Sequence, residues 1–418
     1  MAKLRFAVRK FDPFEQALLK FWHQYKELYA VDVDIEFVPL DLEELYDTLF
    51  VQHGLRNGNW DLVHINTDWI AQAFEQGDLH VLNEYLNRNP PEDYARAWSS
   101  SLLGFQNFEG QIVGLPFHDG PECLVIRKDL FESEKEQQQF FNMHKRELAV
   151  PKTWEDFLLV AEFFTRPQDN LYGTVFAGYP DGHNAVFDFC IQLWSRGGEL
   201  LDKHGQVSLD QTTAVEALDF YRSLFRDRRC LHPNSVTYES VQAGEAFARG
   251  EVAMMVNWFG FASWAQIDSA STVRGQVEIA PIPANENISA PSLNVYWLYA
   301  IAEGSKHKAL AYDFIRFAVA KEQDKALSLG GAVGCRYSTW YDADINAQIP
   351  FYNKLAALHE TARTLPRIAN WSDVAHIIDH TVTSAIHSEK DSLTLLKEAQ
   401  EKLSGGGNSK TMKALDGH

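Results

Sequence analysis

Three groupings of side chains in this sequence carry the residue types that catalysis or metal binding uses. Glu122 precedes Cys123, a base beside a thiol, which suits covalent chemistry when the cysteine is open and electropositively placed. Cys123, however, opens the apolar run Cys123 to Ile126, and its acidic neighbour opposes thiolate formation, so a buried structural cysteine is the favoured reading. Asp119 and Glu122 form a second pair, the carboxylate combination that glycosidic hydrolysis requires, with a separation that sequence does not reveal. His376 and His380 stand four residues apart on one helical face with Asp379 between them, the spacing of a zinc-binding helix. The glutamate and third ligand of such a site are not evident, which favours a solvated helix face and no metal. No GxSxG, P-loop or GxGxxG sequence follows a strand, so serine-hydrolase and phosphate-cradling chemistries lack their usual signatures, and no cofactor is expected.

The elements that would position these residues follow from composition and periodicity. With 418 residues, 45% of them hydrophobic, the chain can bury large cores and suits two to three domains. Its 38 Lys and Arg against 57 Asp and Glu leave a net charge of -19 without a basic stripe, which excludes nucleic acid as an expected partner. No apolar run is long enough to span a membrane. Four cysteines, Cys123, Cys190, Cys230 and Cys335, are too few and too dispersed for a disulfide scaffold. The N-terminus enters a strand directly, without the apolar stretch of a secretory signal, so the protein is cytoplasmic if the chain is complete as given.

Leu4, Phe6 and Val8 alternate as a strand, and a helix follows with Ala17, Leu18, Phe21, Tyr25 and Leu28 on one face. Val33, Ile35 and Phe37 alternate next, ahead of a capping box formed by Asp41 and Glu44. A third strand spans Trp60 to Ile65, after which Asn66-Thr67-Asp68 caps a short helix ending near Gly77. This βαβαβα order predicts a mainly parallel sheet. Phe117 to Glu122 is a polar, Gly- and Pro-stiffened crossing between two short strands, suited to a chain passing from one lobe to another. Beyond it, Thr153 with Asp156 and then Asp210 cap helices, Val186 to Trp194 reads as a buried helix, and Val252 to Val256 as a strand buried on both faces. Trp22, Trp154 and Trp194 lie on helix faces and belong to cores.

The order and spacing of these segments resemble the extracellular solute-binding proteins of ABC sugar importers, the maltose-binding-like family, over about residues 4 to 403. The segments that carry the likeness are FVPLDLEELYDTL at 37 to 49, GNWDLVHINTDWIAQAFEQGDL at 58 to 79, GQIVGLPF at 110 to 117 and PKTWEDF at 151 to 157. RGGELLD at 196 to 202, AFARGEVAMMVNW at 246 to 258, SKHKALAYDFIRF at 305 to 317 and GGAVGCRYS at 330 to 338 continue it. The resemblance implies an α/β, two-lobed periplasmic-binding-protein-like fold of type II with a ligand cleft that closes by hinge motion. Lobe one would take residues 1–116 and 261–320, lobe two 122–257 and 321–403, with hinge crossings at 117–121 and 258–260 and a flexible tail at 404–418. It also implies a non-catalytic monomer that hands a mono- or oligosaccharide, or a glycoside, to the membrane permease subunits of an ABC importer from the periplasm or cell surface. Two departures stand out: Cys123-Leu124 replaces the usual tyrosines, and no signal peptide or lipid-attachment cysteine precedes the first strand. Rival readings on the same scaffold are a thiaminase-like Cys123 nucleophile and a glycoside hydrolase using Asp119 and Glu122.

A saccharide site needs aromatic faces for the C–H surface of the sugar and planar polar groups for its hydroxyls. At loop ends the chain offers Asp12, Thr67, Asp68, Trp69, Asn294 and Trp297 in lobe one, and His118, Asp119, Glu122, Tyr179, His183, Trp258, Arg336 and Trp371 at the crossings and in lobe two. Asp68 is also open to the reading of a helix cap, and Trp297 to that of a core residue. Four carboxylates in the set, Asp12, Asp68, Asp119 and Glu122, favour a neutral sugar, while Arg336, His118 and His183 could pair with an acidic one.

Overall fold

Strand β1 (Lys3–Arg9) buries Leu4, Phe6 and Val8, as its alternation dictates. The computed structural model describes residues 3–405. Further strands are β2 (Asp34–Leu40), β3 (Leu62–Asn66), β4 (Asn107–Phe108), β5 (Gln111–Ile112), β6 (Leu115–His118), β7 (Glu122–Arg127) and β8 (Tyr172–Val175). They are followed by β9 (Val252–Trp258), β10 (Val277–Ala280), β11 (Ser292–Leu293), β12 (Trp297–Ile301) and β13 (Ala362–Arg363). The chain divides into two units. One comprises the chain through Glu122 with Trp258–Ser269 and Asn294–Ala369, and the other Cys123–Asn257, Ala270–Leu293 and the chain from Asn370.

This division corrects the expected segments. Residues 270–293 belong with the second unit because β10 pairs antiparallel with β7, from Val277 opposite Arg127 to Ala280 opposite Leu124. Residues 321–369 belong with the first, where the helix Lys321–Leu329 packs on the helices Asp12–Tyr29 and Lys308–Ala318. The segment 117–121 is itself part of the first unit, held by the Asp119 N–H donating to Val333 O at 3.0 Å and the Phe259 N–H donating to Pro121 O at 3.2 Å. The expected tail lies outside the described residues, except that Ser404 and Gly405 close the helix Ser392–Gly405.

In the first unit the sheet order is β2-β1-β3-β12-β6. β1, β2 and β3 run parallel, and the returning strand β12 is antiparallel to both β3 and β6, so the sheet is mixed. That topology puts the carboxyl ends of β1, β2, β3 and β6 at one edge together with the amino end of β12. The helix Asp12–Tyr29 buries Phe14, Leu18, Phe21, Trp22 and Tyr25, whereas Leu28, expected on the same face, is 66% exposed. Both arms of the Asp41 and Glu44 capping box form.

The second unit is built on the sheet β10-β7-β9-β8, with β8 and β9 parallel. Thr153 caps the helix Trp154–Phe164 through the N–H of Asp156. Asp210 does not cap the next long helix, Thr212–Arg226; its N-cap is Gln211, without a side-chain bond. Every residue of the helix Asn184–Trp194 is buried, and Trp154 and Trp194 lie in this core as Trp22 does in the first.

Candidate functional site

Loops at the carboxyl ends of strands gather polar side chains because the backbone there leaves the sheet and exposes its donors and acceptors. In the first unit Asp12 starts the helix after β1, and Thr67, Asp68 and Trp69 follow β3. Trp297 opens β12, opposite Asn66 of β3 and His118 of β6. Six of the residues read from sequence, Asp12, Thr67, Asp68, Trp69, His118 and Trp297, therefore share one edge. Trp297 is partly exposed and meets Trp69 edge-on at 5.9 Å, and Trp69 in turn meets Tyr46 at 5.4 Å. Thr67 has a structural task here: its hydroxyl accepts the Tyr296 N–H at 3.1 Å, and its own N–H donates to Tyr296 O at 3.1 Å, tying β3 to the approach of β12. Asp68 is not a helix cap, since the short helix Ile70–Glu75 has Trp69 at its N-cap and no side-chain capping bond.

Histidines set the polarity of the edge. His118 Nδ1 accepts the Val333 N–H at 3.0 Å, so the neutral ring carries its proton on Nε2. Burial pulls its pKa down to about 4 against the opposing pull of Asp119, which keeps the ring neutral at physiological pH. His64, in the middle of β3 and outside the set of residues read from sequence, accepts the Arg9 N–H at 3.2 Å through Nδ1. Burial, then the neighbouring His118, lowers its pKa well below the ordinary range, and its buried Nε2 has no partner among the described residues. Phe14 and Phe117 pack against both imidazoles.

Asn294 lies just before β12 and is 1% exposed, yet neither its amide nitrogen nor its amide oxygen has a partner among the described residues. An amide in that state costs several hydrogen bonds unless a ligand or water supplies them. Glu122 begins β7 and is buried, and Trp258 ends β9 and is partly exposed. Arg336 is spent on structure: its guanidinium donates to Val319 O at 2.9 Å and Glu92 O at 2.8 Å and lies 4.6 Å over the Trp98 ring. Asp119 is fully engaged on one side by His359, at 2.6 Å.

Tyr179, His183 and Trp371 belong to the second unit. Tyr179 is 51% exposed, and Trp371 is buried at the start of the helix Trp371–His387. His183 precedes the buried helix and is fixed by Asp181, whose carboxylate accepts the His183 N–H at 2.8 Å and the Asn184 N–H at 2.9 Å. Asp181, outside the set read from sequence, carries a local signal for this role: an Asp two to three residues ahead of an apolar helix. His376 and His380 are exposed while Asp379 between them is buried, and among the described residues no three His, Cys, Asp or Glu side chains are placed to hold a metal. Cys123 is buried.

The family described as bacterial extracellular solute-binding protein matches residues 13–325 of the chain. An ABC transporter-binding protein of Deinococcus radiodurans is 23% identical over 344 residues, 81% of this chain and 76% of the relative. Among solved structures, an ABC transporter solute-binding protein of Agrobacterium radiobacter in complex with ribitol aligns over 97% of this chain and 98% of its own, with a TM-score of 0.85 and 24% identity. Maltose-bound T. maritima MalE3 aligns over 97% of this chain and 100% of its own, with a TM-score of 0.84 and 22% identity. At such identities the structural likeness is one of fold.

Proposed function

This chain belongs to the bacterial extracellular solute-binding proteins, non-enzymatic receptors of ABC importers, and on that premise we propose that its solute is a neutral saccharide or polyol. It acts as a monomer outside the cytoplasmic membrane and delivers the ligand to a permease. Trp297, partly exposed and backed by Trp69, is the stacking face, and Asp12, Asp68, His118 and Asn294 are the polar groups that read hydroxyls. The observation that carries this reading is the Asn294 amide, buried and without partners among the described residues, three positions before Trp297 at the start of β12. A neutral ligand is favoured because Asp12 and Asp68 lie at the edge that bears Trp297, where an anionic solute would meet like charge, and because Arg336 is committed to backbone carbonyls.

The test is a thermal-shift screen over neutral mono- and oligosaccharides, polyols, uronates, amino acids and short peptides, followed by calorimetry of the hits. Selective binding to the native state raises Tm. Neutral saccharides or polyols should shift it and matched uronates should not. Silence from every sugar and polyol, with shifts from amino acids or peptides, would sink the assignment.

A further inference from the structure

Asp119 stands at the end of a directional chain of hydrogen bonds. The Ser101 N–H donates to Ser99 Oγ at 3.3 Å, and Ser99 Oγ and Ser101 Oγ are 2.6 Å apart. Ser101 Oγ lies 2.8 Å from His359 Nδ1, and His359 Nε2 lies 2.6 Å from Asp119 Oδ2. The imidazole is stacked on Trp340, with ring centroids 4.8 Å apart and planes at 14°, so its orientation is fixed by packing as well as by hydrogen bonds. A hydroxyl that donates to Nδ1 leaves the proton on Nε2, where it points at the carboxylate. Asp119 is itself 3% exposed, and its other oxygen, Oδ1, is buried without a partner among the described residues.

A carboxylate held by one oxygen and left empty at the other is an expensive arrangement in a low-dielectric setting. Burying Asp119 only for stability would call for a second donor, and the fold supplies none within its described residues. The backbone on either side is immobilised too, with His118 Nδ1 and the Asp119 N–H both bonded to the Val333 peptide. We propose that Asp119 Oδ1 accepts a ligand hydroxyl and that His359, oriented by Ser101 and Trp340, is the positioning residue that holds the carboxylate for that task. This deepens the saccharide reading above and rests on it. Hydroxyls suit the site because they donate without bringing a charge, and a ligand carboxylate placed there would meet Asp119 directly.

The test uses the full chain with maltose, ribitol and mannitol as calorimetric probes, read for wild type, Asp119→Asn, Ser101→Ala, His359→Gln and His359→Phe. Asp119→Asn keeps the shape but turns a donor toward the hydroxyl, and should weaken the probe that wild type binds by about 10- to 100-fold while the ligand-free Tm holds or rises. His359→Gln retains a donor near the Nε2 position and should recover most of the affinity that His359→Phe loses, and Ser101→Ala should give an intermediate loss. Nitrogen NMR of the ligand-free protein should find His359 as the Nε2–H tautomer, and its Nε2 proton should shift on ligand addition in wild type but not in Asp119→Asn. Wild-type affinity in Asp119→Asn, with a lowered ligand-free Tm, would overturn the proposal and leave the relay as a structural clasp. Silence of wild type toward all three probes and the wider sugar screen would instead refute the saccharide reading from which the proposal starts.

Discussion

Replacing Asp188 with Asn should stabilise the protein, increasingly so as pH rises. Asp188 is a buried carboxyl on the helix Asn184–Trp194 whose Oδ2 accepts the Tyr221 hydroxyl at 2.9 Å. Burial, reinforced by nearby Asp181 and only partly offset by the Tyr221 hydrogen bond, raises its pKa from the ordinary 3.8 to about 8. For an acid raised in the folded state, the unfolded chain releases the proton first. The folded state is therefore favoured at low pH and loses that advantage progressively as pH climbs from about 4 toward about 8. At about 1.4 kcal/mol per tenfold change in proton affinity, the loss across this window has an upper bound of about 6 kcal/mol. Asn keeps the acceptor for Tyr221 and carries no titrating proton, so Asp188→Asn escapes the loss. With about 2 to 4 °C of Tm per kcal/mol for units of this size, one third of the bound already gives several degrees. Calorimetric or fluorescence melts at pH 5, 6, 7 and 8 read the difference between variant and wild type, which removes the contributions of Asp379 and the histidines common to both. A difference that stays flat, or one in which wild type gains on the variant as pH rises, would refute the reasoning.

Trp297→Ala should weaken saccharide binding by about 10-fold or more through lost stacking, measured by calorimetry, while the same substitution at exposed Tyr341 should leave it unchanged. Arg336→Ala should cost about 2 to 4 kcal/mol of stability, because it strips donors from Val319 O and Glu92 O and the stack from Trp98. It should not alter the preference between neutral and uronate ligands; a preference that moves would return Arg336 to the ligand set. His118, lowered by burial to about 4, should remain a neutral Nε2–H tautomer from pH 8 down to pH 5 in nitrogen NMR. Because its folded pKa lies below the unfolded value, its stabilising contribution is complete above about 6.5 and falls away as pH drops toward 4, so a ring that titrates near 6.5 in the folded protein would contradict the burial argument.

Local chemistry was readable because its partners sit within a turn of one another. The capping box of Asp41 with Glu44, the Thr153 cap and the alternation of Leu4, Phe6 and Val8 each depend on residues two or three positions apart, and each formed as written. The ordered succession of such segments also carries the family, which matches over residues 13–325 even though no single motif is diagnostic. What sequence alone did not determine is how side chains far apart in the chain satisfy one another. Asp119 meets His359 across 240 positions, and Arg336 reaches Glu92 O across 244, so the acid proposed to bind ligand and a buried structural arginine look alike in the sequence until folding supplies their partners. Leu28 faces outward although its periodicity matched the buried face, because in the last turn it is Tyr29, four residues on from Tyr25, that continues the contact with Phe317. The placement of residues 270–293 and 321–369 was likewise decided by tertiary pairing: β10 needed β7 to complete its ladder, and the helix Lys321–Leu329 packs on the helix Asp12–Tyr29 while burying Gln323, Asp324, Leu327 and Ser328.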